Sequence, residues 1–79
     1  DLEATSNIRL FPNPTNALLE IDIAEKADVC IYNKEGKLML QESFGAGISS
    51  IYLNGFSSGM YVVTIMNNNR MVTKTIILN

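Results

Sequence analysis

Histidine and tryptophan are absent from this 79-residue sequence, and cysteine occurs once. Without histidine there is no imidazole base. A His/Cys metal cluster and an internal disulfide are excluded with it. No run of about 18 apolar residues occurs, so no segment reads as a membrane-spanning helix. No charged, apolar and small-residue succession opens the sequence, so no signal peptide is read there. Lys plus Arg number 6 against 8 Asp plus Glu, a net charge of −2. A nucleic-acid binder gathers basic residues on one face, and that class is excluded as well.

What is there is apolar and punctuated. The chain is 47% hydrophobic, enough for one small domain and too short for a second. Such a domain retains little net stability, so a tight core is required. No helical stripe of period 3.6 appears. Residues 1–7 are polar and aperiodic and read as a linker or residual segment; the domain proper is expected over 8–79. Within it Ile8–Phe11, Ala17–Ile23, Ala27–Asn33, Lys37–Ser43, Ile48–Leu53, Met60–Met66 and Arg70–Leu78 read as strands. Pro12 and Pro14 stop the first, because each removes a ladder donor. Asn33-Lys34-Glu35-Gly36 suits a type I turn closed by a left-handed glycine. Phe56 reads as a plug in the Asn54–Gly59 loop, and Asn67-Asn68-Asn69 as the last turn. Met60–Met66 is apolar enough to be central. Seven short runs spaced by roughly 8–12 residues are the signature of an all-β, seven-stranded antiparallel sandwich. Strand parity places Leu10, Leu19, Ile21, Val29, Ile31, Leu40, Ile51, Leu53, Tyr61, Val63 and Ile65 in its core. Cys30, between Val29 and Ile31, reads as a buried small hydrophobe, with a crosslinking free thiol as the alternative.

Candidate chemistry is sparse. Glu20 and Asp22 share a strand face and read as its solvated side. Ser49, Ser50, Ser57 and Ser58 lack an activating base. Gly55 and Gly59 precede a strand, whereas a phosphate cradle opens onto a helix. Tyr32, Tyr52 and Tyr61 are read as core or half-buried strand residues before a sugar or peptide platform. No catalytic residue, metal site or cofactor is expected. The last run, Met71–Leu78, is β-branched with one charge. It is either an internal strand or an edge open to strand addition by a partner. As an edge it can also swap or pair into a homodimer.

Four segments in order resemble one family. Phe11-Pro12-Asn13-Pro14-Thr15 resembles the Y/F-P-N-P opening of the C-terminal sorting domain, type A, of the type IX secretion system. Val29-x-Ile31-Tyr32-Asn33-x-x-Gly36-Lys37 resembles its middle hairpin. Leu53 with Gly59-Met60-Tyr61 resembles its L-x-x-G-x-Y segment, and Lys74-x-Ile76-Ile77 its terminal K-x-I/V strand. The chain departs from the family where glycine is common, at Ala17 and in the Asn67–Asn69 turn.

The resemblance implies an immunoglobulin-like sandwich that acts as an address rather than a catalyst. Its partners would be the outer-membrane translocon with its shuttle protein, and a cell-surface sortase that cuts at or upstream of residues 1–7. The cargo would be exported across the outer membrane to the cell surface or beyond in Bacteroidota. The resemblance places the signal in Gly59, Tyr61, Lys74, Thr75, Ile76, Ile77 and Leu78. An accessory β-sandwich that binds carbohydrate or peptide, or that stabilises a neighbouring catalytic domain, is the alternative.

Overall fold

Leu19, Ile21 and Ile23 alternate with Glu20 and Asp22, and the alternation becomes an inward and an outward strand face. The same rule generates the rest of the chain, which a computed structural model describes over residues 8–68 and 70–79. The expected linker over residues 1–7 lies outside the described residues, as does Asn69 of the last turn. The strands are β1 (Arg9–Phe11), β2 (Leu18–Ile23), β3 (Ala27–Tyr32), β4 (Leu38–Phe44), β5 (Gly47–Tyr52), β6 (Gly59–Asn67) and β7 (Arg70–Leu78). All pair antiparallel, and there is no helix among the described residues. Each boundary falls within one residue of its expected place.

The strands form two sheets, β1-β2-β5 and β4-β3-β6-β7. One core lies between them, built from Leu19, Ile21, Ile23 and Ile51 of the first sheet against Val29, Ile31, Tyr61, Val63, Ile65, Ile76 and Leu78 of the second. Of the expected core residues, Leu10 and Leu40 are only half-buried. Both lie on the outermost strand of a sheet, β1 and β4, where one neighbour is missing. Leu53 is buried just past β5, and Phe56 packs against the core as the expected plug. β6 lies between β3 and β7, so the most apolar run is internal.

Two turns follow from residue chemistry. Gly36, at φ +85°, closes the β3–β4 turn, its N–H donating to the Asn33 carbonyl at 2.9 Å. The Asn33 Oδ1 accepts from the N–H groups of Glu35 and Lys37, both at 2.9 Å. In the β6–β7 turn Asn68 has φ +54°, a conformation asparagine tolerates better than most residues.

Two expectations need correction. Cys30 is half-buried rather than buried. It alternates with the inward Val29 and Ile31 and therefore faces outward. The second concerns the last run, for which the sequence leaves both an internal strand and an edge open: of the two, β7 is an edge of the four-stranded sheet, and the internal reading falls. The facing sheet has one strand fewer, so the first half of β7 overhangs it, and burial rises along β7 from Arg70 to Leu78.

Candidate functional site

The three motifs that lie far apart in sequence meet on β7. On one side β6 pairs with it in the register Gly59↔Leu78, Met60↔Ile77 and Tyr61↔Ile76. On the other side the Phe11–Thr15 motif covers its outer edge. The Thr15 N–H donates to the Ile77 carbonyl at 2.8 Å, and the Asn79 N–H donates to the Thr15 carbonyl at 2.8 Å. Asn13 Nδ2 donates to the Thr75 carbonyl at 3.1 Å, and Asn13 Oδ1 accepts from the Ile77 N–H at 3.0 Å. The second half of β7 is thus held between two sequence motifs. The register of β3 on β6, Tyr32 opposite Val62, brings the Asn33–Gly36 turn to the same end of the sheet.

Strand parity divides the expected signal residues into two sets. Tyr61, Ile76 and Leu78 point inward and are buried. The Tyr61 hydroxyl donates to the Ser57 carbonyl at 2.6 Å, and its ring lies 5.4 Å from that of Phe56. These contacts pin the loop before β6 to the core. Gly59 begins β6 at φ +143°, a backbone region that disfavours side chains. Thr75 and Ile77 point outward and are exposed. They share the outer face with Met60, Met66 and Met71.

Lys74 belongs to neither set. It stands opposite the buried Val63, on the core-facing side of β7, yet it is only half-buried. The overhang explains this. At such a rim a long cationic side chain covers apolar surface with its stem and keeps its ammonium in water. Lys74 opens into a groove between β1 and β7, of about 520 Å³, whose other walls include Ile8, Leu10, Phe11 and Asn13. Arg9 lines the same groove but is paired with Asp22 at 3.2 Å and lies 5.4 Å from the Phe11 ring centre. Lys74 has no such carboxylate partner among the described residues.

The remaining candidate groups are dispersed. Glu20 accepts from Ser50 Oγ at 2.9 Å, and Asp22 pairs with Arg9. Tyr61 is buried, Tyr32 half-buried on β3, and Tyr52 68% exposed on β5 of the other sheet, so the three tyrosines form no platform. Among the described residues no three of His, Cys, Asp or Glu come together.

Residue patterning missed Asn13 and Thr15 as structural parts of the site. Thr15 is 1% exposed, the one buried polar residue among those described, and its Oγ1 donates to the Leu18 carbonyl. The two prolines mark a break in pairing, which is the signal that patterning does carry. That the broken segment then docks on a strand more than sixty positions away is not a local property.

No curated protein shows significant similarity to the chain. A family profile does, over residues 9–79, and it spans every motif assembled around β7. The chain belongs to the secretion system C-terminal sorting domain family, that of type IX secretion.

Proposed function

We propose that residues 8–79 form one immunoglobulin-like sandwich that serves as the export address of a cargo protein. The address is read by the outer-membrane type IX translocon and its shuttle protein. A surface sortase then removes the domain by cutting at or upstream of residues 1–7. The cargo ends at the cell surface or outside it, in a member of the Bacteroidota. The domain is a substrate and a signal, not a catalyst.

The observation that carries this reading is the convergence on β7. The motifs of the family occupy both flanks of one edge strand, and the residues left facing outward, Thr75 and Ile77, lie beside the half-exposed Lys74. The strand order β1-β2-β5 against β4-β3-β6-β7, with the chain crossing between sheets after β2, β4 and β5, supports the immunoglobulin-like label. At high concentration, exchange or edge pairing of β7 between two copies is a low-cost state.

Deleting Lys74–Asn79 is a blunt test, because it removes the buried Ile76 and Leu78 together with the signal. Point variants separate the two. A cargo fused to the domain and carrying Lys74→Ala or Ile77→Ser is expected to accumulate in the periplasm, while the isolated domain melts close to the parent temperature. Surface display equal to the parent for both variants would place the address elsewhere.

A further inference from the structure

Only half of the β7 edge is closed. Backbone groups of an antiparallel strand point alternately to its two neighbours. Asn13 and Thr15 engage the Thr75 carbonyl, both backbone groups of Ile77 and the Asn79 N–H. The parity of these residues continues upstream to Thr73 and Met71. The N–H and carbonyl of Met71 and Thr73, with the Thr75 N–H, therefore point away from β6 and meet no strand among the described residues. Met71 and Thr73 are exposed, Met71 at 60%. Such a row of donors and acceptors is a template for an added strand. Asn13 limits its length, because a segment paired beyond Thr75 would collide with the carboxamide.

We propose that the open half of β7, Met71 to Thr75, takes an extended segment of a protein partner that carries a carboxylate beside Lys74. The side-chain chemistry of that segment follows from the two faces of β7. On the outer face, Met66, Met71 and Thr73 offer an apolar, weakly polar surface. On the inner face, Val72 and Lys74 are half-buried at the overhang. A cross-strand residue there meets an ammonium without a carboxylate of its own among the described residues, and opposite charges in that position are favourable. The matching segment is thus short and apolar, with one acidic residue at the position facing Lys74. The partner's place in the export machinery rests on the sorting reading above; the pairing itself rests on the backbone groups.

The test uses the isotope-labelled chain and two blocked peptides, Val-Glu-Val-Thr-Val and Val-Lys-Val-Thr-Val, whose second residue faces Lys74 when the peptide pairs antiparallel with Thr75 to Met71, at micromolar protein. The first peptide is expected to slow amide exchange at Met71, Thr73 and Thr75 and to leave Ile77 and Asn79, already bonded, unchanged. The lysine peptide should bind about fivefold more weakly, and Lys74→Glu should reverse the order. Thr73→Pro removes an N–H that bonds nothing among the described residues, so it should abolish binding without lowering the melting temperature. Should it fail to fold, the Lys74→Glu reversal still decides. Protection confined to β4, equal affinity for the two peptides, or protection of β7 by a second copy without peptide each overturns the proposal. In a cargo fusion, Thr73→Pro should block surface display; display at the parent level overturns the claim on the partner. Failure of the parent fusion to be displayed strikes the sorting reading instead and leaves the peptide result standing.

Discussion

The Asn13 carboxamide takes the place of a neighbouring peptide group for Ile77, accepting from its N–H at 3.0 Å while donating to the Thr75 carbonyl at 3.1 Å. A carboxamide carries a donor and an acceptor at the spacing of a backbone amide, so one side chain closes two edge positions. Both bonds are exposed, and their net worth is modest. Asn13→Ala is expected to cost about 0.5–1.5 kcal/mol. It should lower the denaturant midpoint with an unchanged slope and raise amide exchange at Ile77. Unchanged exchange at Ile77 would show that the cap holds nothing.

Ile31 and Val63 are opposed on β3 and β6 and fully buried at the centre of the core. Truncating either to alanine should cost about 1–4 kcal/mol. In a domain of this size that is a large share of the total. A melting temperature unmoved by both truncations would contradict their placement.

Ala17 is held at φ +109°, where a side chain is strained, and its carbonyl accepts from the Leu53 N–H at 2.6 Å. The bond fixes the conformation, and the family's common glycine would adopt it freely. Ala17→Gly is therefore expected to stabilise the fold by about 1 kcal/mol after the extra freedom of the unfolded chain is counted. The melting temperature should rise by roughly 4–8 °C. A fall would mean that the strain is relieved elsewhere.

Gly59 and Lys74 should affect export by different routes. A methyl group at Gly59 would touch nothing within 4 Å, so Gly59→Ala acts through its φ of +143° alone. The expected cost is about 1–3 kcal/mol, with export falling as the fold melts. Lys74→Gln keeps much of the stem and removes the charge, so export should fall with the melting temperature held. Equal thermal shifts for the two variants would show that Lys74 is a structural residue.

The strands were legible because polar and apolar residues alternate through β2, β3 and β6, and glycine, asparagine and proline mark their ends. β7 was less so. Ile76, Ile77 and Leu78 are apolar on both parities, and only the paired structure shows that Ile76 and Leu78 face the core while Ile77 faces out. Cys30 was readable from its place between two inward residues, and the general preference of cysteine for interiors pulled the other way. Thr15 and Asn13 were opaque to patterning, since a buried threonine and an edge-capping asparagine look like ordinary turn residues until their distant partner is known.

The separation of Asn13 from Ile77, 64 residues, also bears on time. Contacts between remote positions form slowly, and topologies dominated by them fold over milliseconds to seconds. During synthesis the Phe11–Thr15 segment emerges well before the strand it will cover, so sealing of the edge belongs to the last stage of folding. A slow final step prolongs the interval in which the chain is still extensible. Refolding followed at the Ile77 amide should lag behind refolding followed at Ile31.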